Sequence, residues 1–235
     1  MSSKTKKKQA LRPRCQCDPS CKNAPLPRLP FCKKHIYTCN KKSPLTGYEP
    51  AYNPSRYNKT RRIRNSHNCF AYAFDYMEVP PEKECNEKYC DTRFHQPGIQ
   101  AGYPKWKYVK MKQCPDLVSR LRGDIPGIIN TTFEGKCPAH TSKIALVVDP
   151  KEDYHFYRQD KNGLWSHKPG ATHVTNLDAT KRLIYNPELA SRYYDSGRLN
   201  YSSFCSYMCA PKTKTFKFKR GGRRHSRSSR RTQRT

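Results

Sequence analysis

The sequence predicts an α+β domain in which a cysteine-bearing helix packs on a small antiparallel sheet. Three stretches carry that expectation: "HNCFAYAFDYM" at 67–77, the β-branched run "KIALVVD" from Lys143, and "YHFYRQDKNGLWSHKPG" at 154–170, which alternates aromatic and polar residues. Elements with one apolar face must bury those faces against each other, which gives a layered domain. The alternation in "YSSFCSYMCAP" extends it to about Pro211, where charge takes over.

Phe70, Ala73, Phe74 and Met77 recur at helical spacing. Asn68 suits the N-cap, which puts Cys69 in the first turn. "PPEKECNEKYCDTRFHQPGIQAGYP" is polar and turn-rich and reads as a long loop carrying Cys85, Cys90 and His95. "CPDLVSRLRGDIPGIINTT" reads as a short helix followed by a turn, and "KIALVVD" as a central strand. Asp160-Lys161-Asn162-Gly163 is a strong hairpin signal. With a three-residue loop His155 and His167 share a face, and with a two-residue loop they lie on opposite faces.

The formal charge of +29 is concentrated at the ends. Residues 1–14 carry six Lys/Arg and no acid, residues 211–235 carry eleven and no acid, and residues 40–66 carry seven against Glu49. Basic segments of this kind suit a nucleic acid or other polyanion, because each neutralised phosphate releases a condensed counterion. The tail arginines Arg220, Arg223, Arg224, Arg227, Arg230 and Arg231 are the candidate contacts, on a low-complexity segment expected to be disordered when free. No apolar run approaches the ~20 residues of a membrane span, and the Lys-rich start lacks the apolar stretch of a secretory signal. The expected setting is therefore intracellular, in cytoplasm or nucleus, or packaged inside a particle. There the twelve cysteines would serve as metal ligands, a nucleophile or buried thiols rather than as disulfides.

Residues 15–39 read as a zinc knuckle. Zinc takes four N/S ligands in a tetrahedron, and two short ligand pairs can close around it where a Pro-rich loop has no core of its own. Cys21, Cys32 and His35 are the expected ligands, with Cys17 or Cys15 as the fourth, and Cys39 has no assigned place. The pattern resembles short "C…C-K-N…(F/Y)-C-K-K-H" zinc modules of large DNA viruses and some eukaryotes, which implies a docking module. Residues 40–66, with three prolines and interleaved Tyr and Arg, read as a basic linker along a surface; the tyrosines would stack on bases or pack on the next domain.

The chemistry-bearing residues are Cys69, His155 and His167. A thiol in the first turn of a helix is favoured as thiolate, and an imidazole within reach makes it a nucleophile. The Asn68-Cys69 pair opening a helix, followed by a His-headed strand, a Gly-containing turn and a second His about twelve positions on, resembles the NlpC/P60 branch of papain-like cysteine peptidases. The resemblance implies Cys69 as nucleophile, His155 as base and His167 as its orienter, acting on an amide, peptide or related acyl bond. Two departures stand beside it: Phe70-Ala71 replace the family's small residues, and His140 ahead of "TSKIALVV" competes as the base. The Cys69 backbone N–H and Gln96 are the candidate oxyanion donors. "NCFAYA", "QPG" at 96–98 and "YSSFCSYMCAP" also resemble a group of proteins from large DNA viruses and bacteria, which implies a viral setting and a virion protein. The expected organisation is a basic arm at 1–14, the knuckle at 15–39, a linker at 40–66, an NlpC/P60-like domain at 67–210 and a tail at 211–235. The competing expectation is a non-catalytic structural or nucleic-acid-binding protein that retains this fold.

Overall fold

The computed structural model describes residues 13–39, 42–88, 90, 94–194 and 199–212. The six tail arginines named above lie outside the described residues. Four helices, α1 (Ser55–Asn58), α2 (Arg61–Ser66), α3 (Cys69–Ala73) and α4 (Cys114–Asp124), precede or flank the strands β1 (Ile129–Thr131), β2 (Thr141–Val148), β3 (Tyr154–Gln159), β4 (Trp165–Ser166), β5 (Tyr193–Tyr194), β6 (Leu199–Asn200) and β7 (Ser203–Pro211). Five strands form an antiparallel sheet in the order β1-β7-β2-β3-β4, and β5 and β6 form a separate ribbon. The chain is thus α+β, with the β-branched run as its central strand.

Period-two alternation divides the core between the two faces of the sheet. Ile144, Leu146 and Val148 of β2 and Tyr154 and Phe156 of β3 pack with Cys69, Phe70 and Ala73 of α3 and Leu117 and Leu121 of α4. Ala145, Val147, Tyr157 and Trp165 face the other way, against Ile184, Tyr185 and Tyr201. Both faces are covered, so seven of the eight β2 residues are buried.

Asn68 caps α3 by accepting a hydrogen bond from the Ala71 N–H at 3.1 Å. The helix stops at Ala73, so Met77 lies beyond it, short of the expected periodic run. Asp75 has φ +53°, and its carboxylate is held by Arg56 at 2.7 Å and Arg158 at 3.0 Å. Tertiary ion pairs thus accompany a backbone turn that local propensity does not signal. The hairpin has the three-residue loop, 161–163: the Asp160 N–H donates to the Leu164 carbonyl at 2.9 Å, Gln159 pairs with Trp165 and Arg158 with Ser166, and Gly163 takes φ +84°.

Residues 42–66, expected as a linker, are packed against the domain. Tyr57 is fully buried and meets Tyr72 edge-on at 5.0 Å, and the Thr46 hydroxyl donates to the Thr141 carbonyl at 2.7 Å. This is the packing alternative for the tyrosines.

Cysteine usage departs most from expectation. Disulfides join Cys17 to Cys39, Cys85 to Cys90, Cys114 to Cys205 and Cys137 to Cys209. The expected reducing-compartment role of these eight cysteines is corrected accordingly. Cys114–Cys205 ties α4 to β7 across 91 residues, a pairing that sequence spacing does not reveal. Among the described residues no helix is long and apolar enough to cross a membrane.

Candidate metal centre and buried histidine pair

In the knuckle, Cys15, Cys21, Cys32 and His35 bring one ligand atom each to within 4.8 Å of the others. Zinc bonds of ~2.3 Å to sulfur and ~2.0–2.1 Å to nitrogen give tetrahedral edges of roughly 3.8 Å between sulfurs and roughly 3.6 Å between sulfur and nitrogen. Cys21 and Cys32 sulfurs are 3.8 Å apart, and His35 Nδ1 lies 3.3 Å from Cys15 Sγ and 3.5 Å from Cys32 Sγ. The donor set and spacing fit such an ion. Cys15 is therefore the fourth member, and Cys17 is excluded because its sulfur is bonded to Cys39.

Between Cys15 and Cys17, Gln16 is 1% exposed and plugs into the main domain. Its Oε1 accepts from the Tyr185 and Asn186 N–H groups at 2.7 and 3.0 Å, and its Nε2 donates to the Leu183 carbonyl at 3.1 Å. Leu183 and Tyr185 flank Ile184, which bridges to Trp165 of β4. The Cys3His cluster, through Cys15, thus sits one residue from a contact to the segment that bridges to the sheet. Nothing in the sequence marked Gln16.

Cys69 and His155 line one cavity of about 430 Å³, together with Gln96, Trp106, Asp153 and Tyr201. Their immediate surroundings differ. Strand alternation turns Tyr154 and Phe156 toward α3, whereas the His155 ring lies 5.1 Å from Tyr157, 4.9 Å from His167 and 5.2 Å from Tyr201, in the layer across the sheet. Among the described contacts no hydrogen bond joins the Cys69 sulfur to an imidazole; the backbones of Phe156 and Phe70 are the hydrogen-bonding neighbours of its thiol. Cys69 is 5% exposed, and burial, followed by the charge of Asp153, pushes its thiol above the ordinary range. A helix of five residues offers little dipole to oppose that.

The two imidazoles form a defined relay. His167 Nε2 donates to the Leu177 carbonyl at 3.0 Å, so its Nδ1 is the acceptor and His155 Nε2 donates to it at 2.7 Å. Burial lowers the His167 pKa to about 4 and, with the neighbouring His167, holds His155 well below the usual imidazole range. Both rings are therefore neutral near pH 7. They tie the hairpin to the segment around Leu177.

His140 lies elsewhere. It is exposed ahead of β2 at φ +61°, with its ring 4.4 Å from Tyr48. Gln96 lines the cavity, but its Oε1 accepts the Trp106 N–H at 3.1 Å. Sequence reasoning missed Lys168, whose buried Nζ donates to the carbonyls of Arg64, His67 and Gly170 at 2.7, 2.5 and 2.7 Å. That ammonium pins the cavity wall at Gly170 to the residue before Asn68. Lysines are rarely buried, so no sequence signal singles it out.

The fold and site together define a disulfide-stapled α+β domain with a Cys3His cluster, whose one other free cysteine among the described residues is a packed thiol. The chain is 57% identical over 130 residues to insoluble matrix shell protein 1 of Ruditapes philippinarum, an alignment covering 55% of this chain and 74% of that protein, and it belongs to that protein's family. No family profile and no solved structure matches it. This relationship overturns the thiol-hydrolase expectation, with its enzyme, peptidase and virion assignments: the relative is named for an insoluble shell matrix, not for hydrolysis. The structure agrees with that correction: burial pushes the Cys69 thiol above the ordinary range, and the His155 ring, although it shares a cavity with Cys69, packs with Tyr157, His167 and Tyr201 and hydrogen-bonds His167.

Proposed function

We propose that this protein is a structural component of an insoluble extracellular matrix, with zinc filling its knuckle and its basic terminal segments drawn to anionic matrix polymers. The observation that carries the reading is the pairing of eight of twelve cysteines in disulfides, since such staples persist in oxidising, extracellular settings. The relative's name supports the same reading. Cys15, Cys21, Cys32 and His35 would hold zinc, which supplies cohesion where the Pro-rich loop has little core of its own. The Cys-headed helix on an antiparallel sheet, with paired histidines on β3 and its hairpin partner, supports an NlpC/P60-like scaffold used for rigidity.

Fractionation of the tissue that makes the protein tests this. Recovery only after denaturant and reductant supports the matrix role, and recovery in a neutral salt extract sinks it.

A further inference from the structure

We infer that the cavity beside α1 is an oxoanion site for an acidic polysaccharide, with Lys161 and Lys212 as the contacting cations and Arg56 at its edge. This deepens the matrix reading and rests on it. The cavity, about 440 Å³, is also lined by Glu49, Asp75 and Arg158. Both carboxylates are already engaged. Glu49 accepts from the Thr46 and Gly47 N–H groups at 2.7 and 3.0 Å, and Asp75 pairs with Arg56 and Arg158. Arg158 also donates to Asp160 and to the Tyr72 and Ala51 carbonyls.

What remains is two exposed ammonium groups. Among the described residues neither the Lys161 nor the Lys212 Nζ has a hydrogen-bond or ion-pair partner. Their backbones are nonetheless fixed, by Lys161 N–H to the Pro50 carbonyl at 2.9 Å and Lys212 N–H to the His140 carbonyl at 2.8 Å. Two point charges carried on fixed backbone beside a concave surface suit anionic groups spaced along a polymer.

The cavity's chemistry favours polysaccharide over nucleic acid. None of its described lining residues is aromatic, so it offers no platform for base stacking. The disulfides place the folded chain where acidic polysaccharides, not nucleic acids, are the abundant polyanions.

The test is titration of the full-length, oxidised, zinc-loaded protein with labelled heparin (sulfated) and alginate (carboxylated), with duplex DNA as competitor. Lys161→Glu/Lys212→Glu is compared with Lys83→Glu/Lys151→Glu, an equal charge change at exposed lysines outside the cavity. The first pair should weaken binding to at least one polysaccharide roughly tenfold and lower the salt slope by about 2, and the control should cost less than about twofold. Preference for heparin or alginate identifies sulfate or carboxylate as the recognised group. Equal losses in the two double variants, no polysaccharide binding, or displacement of both polysaccharides by DNA at equal charge overturns the site. If charge reversal unfolds the chain, Lys161→Gln/Lys212→Gln gives the same comparison. Purified-protein binding is independent of matrix extraction, so failure here and failure of the matrix role are distinguishable.

Discussion

The knuckle and the Cys69 region use the same two residue types to opposite ends. In the knuckle, three sulfurs and one imidazole converge to metal-binding distances on a loop that lacks its own core. Around Cys69 the groups are close in sequence pattern and share a cavity, yet the strand carrying His155 turns its ring to the opposite face from α3. Cys and His in suggestive spacing therefore become a site only when their side-chain vectors meet, and burial without a partner turns a nucleophile into packing.

The comparison breaks most sharply at Cys32→Ser. Loss of one ligand should remove bound zinc and most of the roughly 10 kcal/mol by which metal organises such a module, read as zinc content after dialysis and lost amide protection through residues 15–35. If the variant retains zinc, the ligand set is wrong.

The histidine pair comes next. Its folded pKa values lie below the free imidazole's 6.5, about 4 for His167, so the unfolded chain binds more protons in that interval and stability falls as pH drops through it. Moving from pH 7 to pH 4 should cost on the order of 3 kcal/mol through His167, and His167→Gln should flatten that part of the slope in urea unfolding. An unchanged slope would mean the ring is not a buried neutral base. Metal release contributes its own acid sensitivity, so the comparison is made on zinc-depleted samples.

Gln16→Ala sharpens the link between the two regions. It strands the Tyr185 and Asn186 N–H groups and should cost about 2 kcal/mol, with increased exchange of the Trp165 amide, whose acceptor is the Ile184 carbonyl at 3.0 Å. Exchange confined to the knuckle would show that the two regions are uncoupled. Cys69→Ala should have the smallest effect, about 1 kcal/mol, and native Cys69 should resist iodoacetamide near neutral pH. Rapid selective alkylation of Cys69 would reverse the packed-thiol assignment.

Much of the local architecture was legible. Asn68 is the cap its position predicts, Gly163 sits where a three-residue turn needs positive φ, and Cys21, Cys32 and His35 join in one cluster. These features depend on a few neighbouring residues. Less legible were the end of α3, where Asp75 meets its two arginines, the burial of Tyr57 within an apparently polar stretch, and the cationic cavity, assembled from residues 47 to 212.

The sequence by itself determined the α+β class, the strand alternation, the presence of a turn between His155 and His167, and the basic ends; the structure chose the loop length that puts the two rings on one face. Only the tertiary structure decided which cysteines pair, that Cys15 and not Cys17 completes the cluster, and that Cys69 looks at the Phe156 backbone instead of an imidazole. The physical reason is range. Caps, turns and alternation are set by contacts a few residues apart, whereas disulfide partners and side-chain vectors across a sheet depend on how distant segments pack.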